Sequence, residues 1–179
     1  MISALALCLH LEKRMPDIPY KHTIVSISCR QHVDPYLVAA IIRHESRFRP
    51  RIIVRERDGH LSVGLMQIKL VTARSIGFRG NLGKLESPWV NIWYGVRYLK
   101  KKMRASATIW DAVAAYNAGI ARWRPGYGYR NNRYVRNVWR YYKQYTGRHL
   151  RTPSQEHWKS LLVRMRRNIT LNGTLFAAR

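Results

Sequence analysis

The sequence contains few acidic residues. Nine Asp and Glu stand against 33 Lys and Arg in a chain of 179 residues, which gives a formal net charge of +24 at pH 7. A field of this sign attracts polyanions of every kind, so nucleic acid, anionic lipid and anionic cell-wall polymers all stay open as partners. Because hydrophobic residues make up 46% of the chain and charged residues only 23%, the composition excludes an intrinsically disordered protein.

Cysteine is also scarce, with Cys8 and Cys29 as its two occurrences. Two cysteines make neither a disulfide framework nor a four-ligand metal site, and we interpret Cys29 as a small apolar residue within a helix. The pair His44-Glu45 lacks the second histidine of a zinc protease signature, because Phe48 stands at that position. The other histidines are scattered and no glycine-rich phosphate loop occurs, so we expect no metal site and no cofactor.

Long apolar runs are absent as well. No stretch approaches the roughly 18 apolar residues of a membrane span, so we expect no transmembrane segment. Residues 1–11 are apolar and resemble the centre of a secretory signal, although no basic residue precedes them and no clean cleavage site follows. We favour an export signal, and hence a location in the periplasm or cell envelope, over an ordinary N-terminal helix.

Helix signals dominate what the sequence does contain. Asp34-Pro35 places an N-cap before proline at the first helical position, and apolar residues from 37 to 42 follow at helical spacing, which predicts a helix to about Ser46. Further helices are predicted from Leu70, from Ser87-Pro88, from Ile109 to Ala118 and from Asn132, with a loop at 122–132. The predicted fold class is mainly α, with a short β-hairpin near residues 51–63.

The chain divides into three predicted segments. Residues 1–20 form the signal segment or N-terminal helix, and residues 21–147 form one helical domain with its own core. Residues 148–179 are a basic extension with a single carboxylate, Glu156, and a helix predicted from about Ser154.

Five short motifs follow one another along the chain. They are Glu45-Ser46, Gly64-Leu65-Met66-Gln67, Thr72-Ala73, Asn91 with Gly95 and Tyr98-Leu99, and Ala115-Tyr116-Asn117-Ala118-Gly119. At these residues the sequence resembles the catalytic domain of the soluble lytic transglycosylases, which has a lysozyme-like fold. The match spans roughly residues 33–123, and five motifs in order are far more specific than one. The resemblance implies an enzyme that cleaves the glycan strands of bacterial peptidoglycan, with residues 21–147 as its catalytic domain.

The chemistry of glycosidic bond cleavage singles out Glu45. An acid must protonate the leaving oxygen, and it holds its proton near neutral pH only if burial raises its pKa. Apolar residues precede Glu45, whereas Arg43, Arg47 and Arg49 would keep its carboxylate ionised unless they point away. The resemblance implies that this single Glu protonates the β-1,4 bond between MurNAc and GlcNAc. It then acts as base on the C6 hydroxyl and leaves a 1,6-anhydro-MurNAc end.

Ordinary glycosidases use a second carboxylate, so a hydrolytic muramidase of the lysozyme type stays open as the alternative. Glu56 and Asp58 are the candidates, and we interpret both as parts of a solvated turn. The separation of 19 positions from Glu45 to Gly64 is at the long end of the family's range, so we expect an unusual connecting loop.

Four residues are predicted to bind substrate from their places in the motifs: Ser62, Gln67, Tyr116 and Asn117. Amide and hydroxyl groups suit sugar hydroxyls and N-acetyl groups, and a tyrosine ring offers a flat face to a pyranose. The neighbouring residues Leu65 and Met66 are expected in the core.

A basic nucleic-acid-binding protein is the competing interpretation from another class. One helical face carries Arg133, Arg136 and Arg140, with Tyr134, Tyr141 and Tyr142 interleaved. This pattern fits phosphate contacts with base stacking, but it also fits a solvated face whose tyrosines belong to the core. We favour the enzyme, as a monomer of the cell envelope or of a phage particle. Its partners are then peptidoglycan strands and no specific nucleic acid.

Overall fold

The computed structural model describes residues 4–147 and residue 153. The helices are α1 (Ala4–Arg14), α2 (Lys21–Gln31), α3 (Pro35–Glu45), α4 (Leu70–Ser75), α5 (Leu82–Glu86), α6 (Pro88–Arg104), α7 (Ile109–Ala118) and α8 (Asn132–Thr146), and the strands are β1 (Ile53–Arg55), β2 (Leu61–Val63), β3 (Ile68–Lys69), β4 (Trp123–Arg124) and β5 (Gly128–Tyr129). The helix predicted from Ser154 lies outside the described residues. The mainly α fold class is confirmed.

Helix α3 forms the centre of the core. The Asp34 side chain accepts a hydrogen bond from the Tyr36 amide at 2.8 Å, and Pro35 occupies the first helical position, as the sequence predicts. Residues 37–42 are completely buried. They contact α8 and α2, while α6 packs against α2 and α7. Because residues 37–42 of α3 are apolar on all sides, other helices must pack around them. Glu45 lies at the C-terminal end of α3, at the edge of the core.

The burial of side chains on α8 distinguishes a nucleic-acid-binding face from a solvated face whose tyrosines belong to the core. Tyr134 and Tyr142 are buried in the main core, whereas Arg133, Arg136 and Arg140 are exposed. Tyr142 donates a hydrogen bond of 2.6 Å to the Asp34 carboxylate at the start of α3. Two of the three interleaved tyrosines are therefore core residues and are not available for base stacking.

Of two local predictions around α7 and α8, one is confirmed and one is wrong. Helix α8 begins at Asn132, as predicted, and its N-cap residue Asn131 makes no side-chain hydrogen bond to the helix. The Asn131 amide instead donates hydrogen bonds to the Ala114 carbonyl and to the Asn117 side chain. The predicted loop at 122–132 contains β4 and β5, an antiparallel pair with Trp123 opposite Tyr129.

The predicted β-hairpin near residues 51–63 is present. Strand β1 pairs antiparallel with β2, with Val54 opposite Ser62, and β2 pairs with the additional strand β3, with Val63 opposite Ile68. The sheet and α4, α5 and α6 enclose a second small core around Val63, Ile68 and Leu85. The sheet is thus held as a wall beside the end of α3.

A disulfide joins α1 to α2. Cys8 pairs with Cys29, with a Cα–Cα separation of 6.1 Å. The interpretation of Cys29 as an unpaired small residue is therefore wrong, although Cys29 does lie in a helix. The reason is the packing of α1 against α2, which brings together two cysteines that are 21 positions apart. Among residues 4–147, no helix has the length and apolarity to cross a membrane.

Candidate active site

All five residues predicted to act on the substrate line one open cleft. The cleft has a volume of about 680 Å³, and its walls come from the end of α3, the sheet, the start of α4 and the end of α7. The predicted residues that line it are Glu45, Ser62, Gln67, Tyr116 and Asn117. Positions up to 72 residues apart in the sequence therefore meet at one surface.

Glu45 is the last residue of α3 and only partly exposed. Burial raises its pKa from 4.5 to about 7, a hydrogen bond from Tyr134 opposes this shift, and the negative charge of Glu56 adds to it. A carboxyl group in this state still carries a proton at neutral pH and becomes a base once the proton is lost. It can therefore act as both general acid and general base.

The arginines around Glu45 point away from the cleft. The Arg43 guanidinium lies over the Tyr141 ring, with 5.2 Å to the ring centroid, and Arg47 is exposed. The Arg49 Nε donates a hydrogen bond to the Ser46 carbonyl at 3.2 Å. None of the three is among the causes of the Glu45 pKa shift. The pKa of Glu45 is therefore raised although the protein is strongly cationic.

Tyr134 is the site residue that the motifs do not reveal. Its hydroxyl donates a hydrogen bond of 2.7 Å to the Glu45 Oε1 atom across 89 positions of sequence. The Tyr134 ring also makes an edge contact with His44, at 4.7 Å between centroids. Burial lowers the pKa of His44, and Arg133 and Arg140 lower it further, which favours a neutral imidazole beside the acid. In the sequence Tyr134 is indistinguishable from the other core tyrosines of α8.

The second motif is a tight turn held by Asn91. Gly64 has a positive φ of 74°, and a Cβ atom there would collide with the Asn91 amide. That amide accepts a hydrogen bond from the Met66 backbone and donates to the carbonyls of Val63 and Leu85, at 2.8 Å each. Leu65 and Met66 are completely buried, as predicted. This turn delivers Gln67 to the floor of the cleft.

Gln67 lines the cleft, and the NH2 group of its side chain already donates hydrogen bonds within the protein. Its Nε2 donates to the carbonyls of Ile52 and Gly64 at 3.0 and 2.9 Å, and its backbone has a positive φ of 45°. Among the described residues, the Gln67 side-chain oxygen has no donor in hydrogen-bonding contact. The geometry therefore presents an acceptor to the cleft, where hydroxyl or N-acetyl N–H donors of a sugar could bind.

Tyr116 and Asn117 occupy the last turn of α7. The Tyr116 side chain is buried, its ring contacts Tyr98, and its hydroxyl donates a hydrogen bond of 2.8 Å to the Met66 carbonyl. This bond ties α7 to the turn that holds Gln67. Asn117 is exposed, and its side-chain oxygen accepts a hydrogen bond from Asn131.

The loop between Glu45 and Gly64 places a second carboxylate in the cleft. Glu56 lies at the end of β1, lines the cleft, and accepts a hydrogen bond of 2.6 Å from the buried Ser62 hydroxyl. Glu56 does begin the turn, since the Gly59 amide donates to its carbonyl. The expectation that its side chain is solvated is wrong, because the pairing of β1 with β2 places it on the same face as Ser62. Asp58 does lie in the exposed turn, where it pairs with Lys69.

The described residues contain no group of three or more His, Cys, Asp or Glu that could hold a metal ion. The side chains that line the cleft carry carboxyl, hydroxyl, amide, imidazole and amine groups. Three carboxyl groups line the cleft, those of Glu45, Glu56 and Asp58, and burial raises the pKa of Glu45 to about 7.

Comparison with known proteins identifies the family. Residues 22–138 match the model of the transglycosylase SLT domain. Invasion protein IagB of Salmonella typhimurium is 30% identical over 118 residues, which are 65% of this chain and 72% of that protein. The transglycosylase of enterobacteria phage PRD1 is 31% identical over 103 residues, or 56% of this chain and 36% of that one.

Solved structures show the same fold. The 70-kDa soluble lytic transglycosylase Slt70 of Escherichia coli superposes with a TM-score of 0.55 and 25% identity over 84% of this chain. A complex of the 70-kDa soluble lytic transglycosylase with bulgecin A gives a TM-score of 0.50 and 28% identity over 78% of this chain. This chain spans only 28% and 21% of those two proteins. The chain thus belongs to the transglycosylase SLT domain family and has the lysozyme-like fold of the lytic transglycosylases.

Proposed function

We propose that this protein is a peptidoglycan lytic transglycosylase that cleaves the β-1,4 bond between MurNAc and GlcNAc with Glu45 as its acid and base. The observation that carries the proposal is the Glu45 carboxyl group at the wall of an open cleft, with its pKa raised to about 7. A protonated acid beside an accessible groove is what cleavage of a glycosidic bond requires. Membership of the transglycosylase family supports the choice of substrate.

The reaction proceeds in two steps on the same carboxyl group. Glu45 first gives its proton to the glycosidic oxygen, the bond from C1 of MurNAc to that oxygen breaks, and positive charge develops at C1. The C6 hydroxyl of the same MurNAc then attacks C1 and gives its proton to the Glu45 carboxylate. The product is a 1,6-anhydro ring, no water is consumed, and Glu45 is protonated again.

Tyr134 acts as a positioning residue for Glu45. Its hydrogen bond to the carboxylate lowers the pKa of Glu45 and partly offsets the effect of burial. A donor to the ionised form makes proton release easier and fixes which oxygen faces the substrate. The bond therefore keeps the pKa of Glu45 near the pH at which acid and base steps both proceed.

The remaining predicted residues are assigned to sugar binding. The Gln67 side-chain oxygen and the exposed Asn117 amide offer hydrogen bonds to hydroxyl and N-acetyl groups. Tyr116 contributes part of its ring to the cleft, while its hydroxyl proton is committed to the Met66 carbonyl. Ser62 acts through Glu56, to which its hydroxyl donates a hydrogen bond.

A hydrolytic muramidase is a second candidate function, and the position of Glu56 favours it. In the hydrolytic reaction a water molecule attacks C1, its proton passes to the second carboxylate, and Glu45 protonates the leaving oxygen as before. Glu56 lines the same cleft as Glu45, and its negative charge raises the pKa of Glu45. Its carboxylate is also held in place by Ser62.

Digestion of peptidoglycan in ¹⁸O-labelled water distinguishes the two reactions. Mass analysis of the products should show unlabelled anhydro ends from the native protein. Glu45→Gln should give no products while it still binds peptidoglycan. Glu56→Gln should keep the anhydro product with its activity optimum at lower pH, because loss of the Glu56 charge lowers the pKa of Glu45. Labelled reducing ends that disappear in Glu56→Gln would instead establish the hydrolytic route.

We also propose that the protein works as a monomer in the bacterial envelope or in a phage particle. Its partners are then peptidoglycan strands, and it uses no cofactor. The positive charge supports this setting, since it draws the enzyme towards anionic wall polymers with a strength that falls as salt increases. Binding to nucleic acid is expected to be independent of base sequence and to be lost on addition of salt.

A further inference from the structure

One wall of the cleft is formed by residues that the core does not hold. Asn117, Ala118 and Gly119 line the cleft at the end of α7. Residues 117–122 are all exposed, whereas residues 110–116 of the same helix are buried. A segment with few buried contacts opens locally more easily than a packed core. The shape of this wall therefore depends on individual hydrogen bonds.

Lys102 makes one of these hydrogen bonds from the neighbouring helix. It lies in the last turn of α6, and its Nζ donates to the Gly119 carbonyl at 2.5 Å. Gly119 is the C-cap residue of α7, and the last carbonyls of a helix find no partner within the helix. The negative end of the helix dipole also favours a cation at this point. Lys102 thus fixes the place where the chain leaves α7.

The same ammonium group contacts a second part of the cleft wall. It lies 4.9 Å from the centroid of the Tyr98 ring, one helical turn away on α6. Tyr98 lines the cleft, and its ring centroid is 5.2 Å from that of Tyr116. Lys102 is not among the residues that line the cleft. It therefore contacts two parts of the wall from behind.

Other side chains hold α7 at earlier positions. Tyr116 binds the Met66 carbonyl through its hydroxyl, which ties the last buried residue of α7 to the floor of the cleft. Asn131 donates to the Ala114 carbonyl at 3.0 Å and to the Asn117 side chain at 2.9 Å. The bond from Lys102 lies beyond these, at residue 119, so it holds a part of the wall that they do not reach.

We propose that Lys102 is a positioning residue, which holds the end of α7 and the Tyr98 ring in the arrangement that binds the glycan strand. The inference rests on the proposed function, because the glycan is the ligand of that cleft. Lys102 acts through residues that contact the sugar and is remote from the proton transfer at Glu45. Its loss should therefore weaken substrate binding and leave the chemical step unchanged.

The test replaces Lys102 by Met, which removes the ammonium group and keeps an unbranched side chain. For glycan strands the KM of Lys102→Met should rise about tenfold, and kcat should stay within about twofold of the native value. The pH profile of activity should not move, because Lys102 is not among the groups that shift the pKa of Glu45. A lower kcat with an unchanged KM would overturn the proposal.

Lys101→Met is the matched control. Lys101 is the neighbouring residue on α6, is exposed and does not line the cleft. Its replacement removes the same charge from the same turn of helix, and its KM should stay within about twofold of the native value. Equal increases of KM in the two variants would refute the proposal, because general attraction between a basic protein and wall polymers would then explain both.

Hydrogen exchange tests the position of the α7 end without any substrate. The amides of Asn117 and Ala118 lie in the last turn of this helix. They should exchange at least about threefold faster in Lys102→Met than in the native protein, and at the native rate in Lys101→Met. Exchange at the native rate in Lys102→Met would show that the end of α7 does not depend on this lysine.

Binding by inactive protein separates failure of this inference from failure of the proposed function. Glu45→Gln should bind glycan strands about tenfold more tightly than the double variant Glu45→Gln/Lys102→Met. If this difference is found while the native protein cleaves no glycan, the assigned reaction is wrong and the role of Lys102 stands. Equal binding by the two would refute the role of Lys102. Lys102 is partly exposed, so its variants should fold, and circular dichroism checks this.

Discussion

Replacement of Glu45 by Gln should stabilise the protein at the pH where the enzyme works. In the folded state the pKa of Glu45 is about 7, against 4.5 for a freely solvated Glu. Above pH 7 the folded protein therefore holds an ionised carboxylate in a place that favours the neutral form. A difference of this size corresponds to about 3 kcal/mol of lost stability, taken as an upper limit for a side chain that keeps some contact with water.

The pH range of the effect follows from the two pKa values. As pH rises from 4.5, the unfolded chain releases its proton while the folded protein retains it until about pH 7. Folding is thus favoured less and less across this window, and the full stability of the protonated form is present only below it. Gln does not titrate, so the gain of the variant should be near zero at pH 4 and complete at pH 8.

The assay is urea denaturation at pH 4, 6 and 8, followed by tryptophan fluorescence. At pH 8 the midpoint for Glu45→Gln should exceed that of the native protein, with a rise in melting temperature of roughly 5–10 °C. Gln keeps an oxygen that accepts the Tyr134 hydrogen bond. The change therefore removes the titration and leaves the packing almost unaltered.

Glu86→Gln is the matched control. Glu86 lies on α5 and does not line the cleft, and its replacement by Gln removes the same negative charge. Subtracting its effect removes the general consequence of making a basic protein more basic. An equal effect in both variants at pH 8, or a loss of stability in Glu45→Gln, would refute the argument that burial of this carboxyl group raises its pKa.

The other predictions concern two connections between helices. Tyr134→Phe should lower kcat about tenfold and move the pH profile of activity to higher pH, since loss of the hydrogen bond raises the pKa of Glu45 further. Tyr142→Phe, which loses its bond to Asp34 on the same pair of helices, should lower stability and leave the pH profile in place. Cys29→Ser should lower the free energy of unfolding by about 3 kcal/mol in the absence of reductant, and reductant should abolish the difference. If N-terminal sequencing of the exported protein shows that α1 has been removed, this last effect should be absent.

Local signals in the sequence were sufficient for several elements. Asp34-Pro35 marks the start of α3, because a capping carboxylate and a fixed proline φ act within one turn. Thr108 and Gly119 bound α7 in the same local way, through a capping box and a positive φ of 80°. The order of five motifs was enough to identify the family, since each motif is contiguous or nearly so. The same motifs led to the prediction that Glu45 is the acid.

Tertiary structure decided the environment of Glu45. Sequence alone left it open whether the nearby arginines would hold the carboxylate ionised, and their direction depends on how α3 packs on α8. Tyr134 reaches Glu45 across 89 positions, and Glu56 reaches Ser62 only in the observed register of β1 and β2. Helix caps and motifs depend on residues that are adjacent in the sequence, whereas burial and distant hydrogen bonds arise only when separate segments pack together. The pKa of Glu45 depends on burial and on a hydrogen bond from a distant residue.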